Sequence, residues 1–188
     1  MEKAPKKYEE YAYILDDPPY GRPGAQRSMY HGRTVIQIVG ETYFTLLEAV
    51  PRADASFNIR ERIYVGKKGR TKIEHILGRI AYEELTSAAK AELQAAVETI
   101  IRANPGPFIS FFNASQPVTP RMHSMELIPG IGKRLMWQIL DRRERVPFDS
   151  FEDLQKSVNI TDPVRLLARR VLKELSEDEK YMLFTRPI

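Results

Sequence analysis

The chain contains no cysteine among its 188 residues. This absence excludes disulfide bonds, thiolate nucleophiles and any zinc or iron–sulfur site that is ligated by cysteine. Histidine is also scarce, and the three histidines, His31, His75 and His123, lie far apart in the sequence. Because they match no metal-ligand spacing, we expect them to be surface or packing residues and predict no metal site.

Long apolar runs are missing as well. No stretch approaches the ~18 apolar residues that a transmembrane helix needs, and the first twenty residues are charged and rich in tyrosine. We therefore expect a cytoplasmic protein without a signal peptide or a membrane partner. The hydrophobic content of 43 % and charged content of 29 % are typical of a globular protein.

Motifs for catalysis are not found either. The sequence has no G-x-S-x-G, no Walker A segment and no G-x-G-x-x-G. The acidic pair Asp16-Asp17 runs into Pro18-Pro19, which indicates the end of a strand and a turn rather than a magnesium site. The sequence therefore predicts neither an enzyme nor a cofactor.

The most informative segment is Leu127-Ile-Pro-Gly-Ile-Gly-Lys-Arg134. Proline followed by two spaced glycines and two basic residues is typical of a helix-hairpin-helix, in which the amides that open the second helix bind a phosphate. A plain turn between two helices would also use such glycines. The candidate phosphate-binding residues are Ile128, Pro129, Gly130, Ile131, Gly132, Lys133 and Arg134.

A second, degenerate copy of this unit is predicted downstream. Ser150 with Asp153 favours a helix over 151–157, and Pro163 favours the start of another. The connection 158–163 lacks glycine, so we expect it to be structural. On the last helix, Arg165, Arg169 and Lys173 share one face, which is either a second phosphate-contacting row or a solvated face. Trp137 is expected in the core between the two hairpins.

The first half of the chain has the pattern of β-strands. Short β-branched and aromatic runs are separated by turn residues. About five strands in some eighty residues indicate a small barrel of the oligonucleotide/oligosaccharide-binding (OB) kind, although another small barrel fits equally. The predicted strands cover residues 11–15, 33–39, 42–50, 57–65 and 76–82.

A basic turn in this half is the second candidate site. Lys67, Lys68 and Arg70 fall between two predicted strands, and OB-like barrels use such loops to contact phosphates. The nearby aromatic residues, Tyr64 and the pair Tyr43-Phe44, are either base-stacking platforms or core residues.

These patterns predict an α+β protein. We expect an OB-like β-barrel domain over 8–114, which includes a helix over 86–103, and then an all-α paired helix-hairpin-helix domain over 121–175. Residues 115–119 are the expected linker, and 176–188 form a C-terminal tail.

Six segments along the chain together carry a family resemblance. They are Tyr13–Asp16, Tyr20–Pro23, Val35–Gly40, Tyr64–Lys67, Glu126–Lys133 and Pro147–Asp153. These segments resemble an archaeal family, the domain of unknown function 655, whose members are described as nucleic-acid-binding proteins without an assigned activity. The resemblance spans about residues 8–188 and implies an OB-like barrel, a paired helix-hairpin-helix domain, a cytoplasmic location and a role near translation or RNA processing. It places backbone binding on 128–134.

The expected function is therefore non-catalytic, largely sequence-independent binding of DNA or RNA. The net charge of +4 permits such a partner. The alternative is an adaptor that binds a ribosomal or RNA-processing protein through an exposed apolar patch. Phe111, Phe112 and Met122 are the candidates for that patch.

Overall fold

The computed structural model describes residues 8–17 and 34–186. These residues form a mixed α+β structure of two compact units. The first unit contains the described residues up to Ala96 and those from Phe184 onward, and the second contains Val97–Leu183. The division falls inside one helix, upstream of the segment 115–119 that the sequence predicts as a linker.

The first unit is built on a five-stranded antiparallel sheet that curls into a half-barrel. Its strand order is β4-β1-β2-β3-β5, so the first three strands form a meander and the last two flank it. The strands are β1 (Tyr11–Asp16), β2 (Ile36–Gly40), β3 (Leu46–Pro51), β4 (Arg62–Tyr64) and β5 (Ile73–Arg79).

The core of this unit follows from the β-branched composition of the central strands. The register pairs Ile14 with Ile38 and Ile38 with Leu47, so three large aliphatic side chains lie side by side across β1, β2 and β3. Each is almost completely buried. The core cluster consists of Ala12, Ile14, Ile36, Ile38, Leu47, Ala49, Ile63, Val65 and Ile73.

The last two strands differ from the predicted bounds. Only Arg62–Tyr64 of the predicted strand 57–65 is extended, because Asn58 and Glu61 close a turn in which Arg60 has a φ of +64°. The final strand is Ile73–Arg79 rather than 76–82, and it is followed by a 3₁₀ turn at Tyr82–Glu84.

The helical elements begin with α1 (Ser87–Ala103), close to its predicted bounds of 86–103. The segment that follows was not predicted as a helix, but it forms α2 (Gly106–Ala114). Pro105 and Pro107 lie at its start, where a missing N–H costs no hydrogen bond. The predicted linker instead contains β6 (Pro117–Thr119), which pairs with β7 (Met122–His123).

Three further helices complete the second unit. They are α3 (Lys133–Arg145), α4 (Phe151–Val158) and α5 (Pro163–Ser176). The predicted burial of Trp137 is wrong: its side chain is 64 % exposed. The buried residues of α3 are Met136 and Ile139, so Trp137 lies on the opposite, solvent-facing side of the helix.

Four features of the sequence prediction lie outside the described residues, namely Pro18-Pro19, the motif Tyr20–Pro23, His31 and the first residue of the predicted strand 33–39. Within 8–17 and 34–186, no helix is long and apolar enough to cross a membrane.

A buried carboxylate anchors the connection between β2 and β3. Glu9 is 7 % exposed, and its two oxygens accept the backbone N–H groups of Thr42, Tyr43 and Thr45 at 2.9–3.2 Å. A Cβ atom at Gly40 would lie only 2.1 Å from the Glu9 carboxyl carbon. Gly40 is therefore required for this close approach.

We predict that Glu9→Gln lowers the free energy of unfolding by about 1–3 kcal/mol. The amide keeps one acceptor oxygen but turns an NH₂ group toward a backbone N–H, which leaves a buried donor unsatisfied. Chemical denaturation measures the effect. Glu10→Gln is the matched control, because Glu10 is exposed and contributes its backbone carbonyl rather than its side chain. An equal loss in both variants would contradict this role of Glu9.

Candidate nucleic-acid interface

The predicted hairpin contains a tight turn between two buried side chains. The Ile131 N–H donates to the Ile128 carbonyl oxygen at 3.0 Å, and both isoleucines are at least 97 % buried. Pro129 and Gly130 occupy the two central positions, with Gly130 at a φ of +98°. This is the geometry of a type II turn, which requires positive φ at its third residue.

The element before the turn is shorter than predicted. A helix-hairpin-helix motif predicts an α-helix that ends near Leu127, but the chain forms a 3₁₀ helix over Ser124–Leu127. His123 caps it, since its Nδ1 accepts the Met125 N–H and its own N–H donates to Glu126. Burial and the nearby Arg143 guanidinium lower the pKa of His123, so the imidazole stays neutral and able to accept this bond.

The two glycines of the motif have different roles. Gly130 has a φ that only glycine adopts readily, and a Cβ there would lie 3.0 Å from the Leu166 side chain. Gly132 has an ordinary φ of −84°, and no atom lies within 4 Å of the position a Cβ would take. Gly130 therefore serves the fold, whereas Gly132 leaves open space in front of α3.

The start of α3 lacks a side-chain cap. Its N-cap is Gly132, which has no side chain to accept the first amides of the helix. By contrast, Ser150 accepts the Asp153 N–H before α4, and Asp162 accepts the Arg165 N–H before α5. The amides that open α3 are thus available to an external acceptor, next to the positive end of the helix dipole.

The second predicted hairpin also contains a residue with positive φ, although it has no glycine. Asn159 adopts left-handed geometry with a φ of +53°, which asparagine tolerates better than most residues. Ile160 follows as a buried residue, as Ile131 does in the first hairpin. Asn159 is not among the predicted site residues, because glycine was the signal used to predict the turn.

Both turns line one cleft of about 340 Å³ within the second unit. Gly130 and Leu135 contribute from the first hairpin, and Arg165 and Arg169 contribute from α5. The remaining lining residues are Asn159, Ile160, Thr161, Asp162 and Leu166. The structure therefore brings two arginines of the predicted helix row together with the glycine turn.

Charge in this region is mostly uncompensated. Lys133, Arg134, Arg165 and Arg169 are exposed, and no ion pair joins any of them to the described residues. Lys173, the third member of the predicted row, differs from them because its ammonium lies 2.9 Å from Glu179. Lys173 is therefore not counted among the basic residues of the cleft.

A buried arginine of α5 is hydrogen-bonded to the residue that precedes the turn segment. Arg170 is 1 % exposed, and its guanidinium donates to the carboxylates of Glu174 and Glu179 at 2.8 Å. It also donates to the carbonyl oxygens of Tyr181 and of Leu127, the residue before the turn segment. The sequence did not predict the role of Arg170. Arg169 and Arg170 are adjacent arginines on one helix, and nothing local in the sequence indicates that only Arg170 is buried.

The basic turn of the first unit is only partly available to a ligand. Lys68 is exposed, and the Lys67 ammonium lies 4.1 Å from the centre of the Tyr8 ring. Arg70 points back into the loop, where its Nε donates to the carbonyl oxygens of Val65 and Gly66. Arg70 therefore shapes this loop.

The aromatic candidates near that loop are already in contact with other groups. Phe44 is 2 % exposed and belongs to the core. The Arg186 guanidinium covers the Tyr43 ring at 3.7 Å, and Tyr64 packs edge-to-face on Tyr11. Of the residues expected in the apolar patch of an adaptor, Phe112 is 1 % exposed and Phe111 packs edge-to-face on it, whereas Met122 is half-buried.

Comparison with known proteins gives consistent matches. A family model described as "Protein of unknown function (DUF655)" matches residues 8–186. Uncharacterized protein MJ0038 of Methanocaldococcus jannaschii is 40 % identical over 184 residues, which cover 97 % of this chain and 82 % of that protein. The crystal structure of Af1531 from Archaeoglobus fulgidus, assigned to DUF655, matches with a TM-score of 0.86 and 41 % identity over 95 % of this chain and 100 % of that one. Both relatives are archaeal.

We predict that serine is tolerated at Gly132 but not at Gly130. Gly130→Ser forces a side chain into left-handed geometry and toward Leu166, and should lower the free energy of unfolding by about 1–3 kcal/mol. Gly132→Ser places a favoured N-cap residue in open space and should change it by less than about 1 kcal/mol. Urea denaturation of both variants measures the difference. Equal losses would show that our assignment of the two glycines is incorrect.

We also predict an acid-sensitive contribution from Glu179. The hydrogen bond from Lys173, together with that from Arg170, holds the pKa of Glu179 below its usual value of 4.5. Its carboxylate therefore stabilises the fold above pH 4.5, and this contribution is lost as the pH falls through the lowered pKa. Denaturation of wild type and Glu179→Gln should show a stability difference at pH 7 that shrinks below pH 4.5. A pH-independent difference would contradict this.

Proposed function

Because the chain belongs to the DUF655 family of proteins of unknown function, we propose its function from the site: it binds the sugar–phosphate backbone of nucleic acids, without catalysis and largely without regard to sequence. The second unit acts as a paired helix-hairpin-helix domain, and the first as an OB-like module with a basic loop. Both modules serve binding.

The observation that carries this proposal is the uncapped start of α3. Gly132 leaves the first amides of the helix without a side-chain acceptor and without steric cover. A phosphate oxygen has the charge and the acceptor capacity that such amides favour. Lys133 and Arg134 lie in the same first turn and are exposed, so they add positive charge where the anion would bind.

The second hairpin contributes charge rather than amides. Asp162 already accepts the Arg165 N–H at the start of α5, and its carboxylate would repel a phosphate at that position. Arg165 and Arg169 instead line the cleft beside the first turn. We infer that one phosphate is held by the amides of α3 and that neighbouring phosphates are held by these arginines.

The first unit supports the OB-like part of the proposal through its topology. The order β4-β1-β2-β3 is that of a Greek key, and β5 lies next to β3. OB-folds are five-stranded, partly open Greek-key barrels that bind ligands partly through the loop between strands 4 and 5. In this chain, that loop holds Lys67 and Lys68.

Low sequence specificity follows from the kinds of contact. Amides and guanidinium groups directed at phosphates carry no base information, and they do not distinguish DNA from RNA. The alternative, an adaptor in a translation or RNA-processing complex, would bind a protein partner with little dependence on salt.

We predict that Gly132→Asp weakens nucleic-acid binding at least about tenfold while the protein stays folded. The aspartate would cap α3 itself, as Asp162 caps α5, and so would compete with a phosphate for the same amides. Fluorescence anisotropy with labelled duplex DNA, single-stranded DNA, single-stranded RNA and structured RNA measures the affinity.

Gly106→Asp is the matched control for this variant. It places the same charge at the first turn of α2, where a Cβ also has no neighbour within 4 Å. We expect it to retain binding.

For wild type, contact with about 3–5 phosphates predicts that log K falls with log salt with a slope of about −2 to −4. We call the first amides of α3, with Lys133 and Arg134, the phosphate clamp. Salt-independent binding, or an equal loss of affinity in both variants, would count against the phosphate clamp and favour a protein partner.

A further inference from the structure

Trp137 is the most exposed of the large hydrophobic side chains in the described residues, at 64 %. Tryptophan is highly buried in most proteins, so this degree of exposure on a well-formed helix calls for a physical explanation. The surrounding face of α3 is polar, with exposed Lys133, Arg134, Gln138 and Asp141. Packing in the core therefore does not account for a large aromatic residue here.

The position of Trp137 relates it to the phosphate clamp. It follows Lys133 by four residues and Arg134 by three, so all three side chains share one face of α3. The rise between Lys133 and Trp137 is about 6 Å, and helical side chains lean toward the N-terminus of their helix. The indole thus lies beside the first turn, whose amides are uncapped.

The faces of this ring also differ from those of three exposed or half-buried tyrosine rings in the described residues. Lys67 lies over Tyr8, Arg62 over Tyr11 and Arg186 over Tyr43. Trp137 has no cation and no second ring on it among the described residues. A base that stacked on Tyr43 would have to displace a guanidinium, whereas a base that stacked on Trp137 would displace only water.

We propose that Trp137 is a stacking platform for an unpaired nucleobase whose backbone is held at the start of α3. This rests on the proposed phosphate clamp and adds the substrate class: single-stranded nucleic acid, or a structured one with an unstacked base next to the bound phosphate. In a regular duplex, bases are stacked on their neighbours, so the indole would gain nothing. Aromatic stacking tolerates every base because each has a π-face, which agrees with binding that does not depend on sequence.

The experiment uses the single tryptophan of the chain as its own probe. Unlabelled single-stranded DNA and RNA, a duplex, and single strands with abasic sites throughout are titrated into the full-length protein while indole fluorescence is recorded. We expect quenching by the base-containing single strands. The abasic strands, which keep every phosphate, should not quench the indole, although labelled copies of them should bind in an anisotropy assay. The duplex should bind more weakly than the single strands.

Trp137→Ala is measured beside Val146→Ala, which removes another exposed apolar side chain, at the end of the same helix. We expect Trp137→Ala to weaken binding of base-containing single strands about 5- to 100-fold and to leave abasic strands unaffected. Trp137→Phe should recover part of the affinity because it keeps an aromatic face. Val146→Ala should bind as wild type does.

The outcomes separate the two proposals. If Trp137→Ala binds single strands like wild type and the indole is not quenched, while Gly132→Asp still abolishes binding, stacking is refuted and the phosphate clamp stands. Tighter binding of the duplex than of single strands would likewise refute stacking. If no strand binds at low salt, both proposals fail.

Since Trp137 is exposed, thermal melting of Trp137→Ala should match wild type, and a lower melting temperature with loss of all binding would show that the residue is structural.

Discussion

The helical unit depends on one buried guanidinium. Arg170 joins α5, the segment after it and the residue that precedes the glycine turn, through hydrogen bonds to Glu174, Glu179, Tyr181 and Leu127. A buried charge is tolerated only when it is paired and hydrogen-bonded, and this one has acceptors on several sides. The planar fork of arginine suits such a site, since it donates in several fixed directions. The position of the hairpin is thereby tied to the C-terminal segment.

The two turns of this unit share a residue with positive φ but serve different purposes. Each places a buried isoleucine after a residue with positive φ, Gly130 in the first turn and Asn159 in the second. The difference lies one or two residues later. Gly132 leaves the start of α3 open, whereas Asp162 closes the start of α5 with its own carboxylate. Only the first turn combines free amides with an open approach, so the two hairpins contribute differently to the same cleft.

The first unit follows a simpler physical scheme. Aliphatic residues alternate toward one side of the curled sheet and form its core, and the loop between β2 and β3 is fixed by the Glu9 carboxylate. Arginine side chains from neighbouring segments cover the half-buried rings of Tyr11 and Tyr43. Among the residues that the structure describes, Trp137 in the other unit is an exposed aromatic residue with no cation and no second ring on its faces. We therefore propose base stacking for the helical unit rather than for the sheet.

The sequence alone determined the secondary-structure class of most segments and the location of the glycine turn, because these follow from local signals. Alternating β-branched runs indicated the strands, and the spacing of Pro129, Gly130 and Gly132 indicated the turn. Tertiary structure decided what local signals do not contain. It made Trp137 exposed and Arg170 buried, although both lie on amphipathic helices. It also separated Lys173 from Arg169, since Glu179 approaches Lys173 only after the chain turns back. These outcomes depend on which face of a helix meets the rest of the unit, and that is set by contacts between residues distant in sequence.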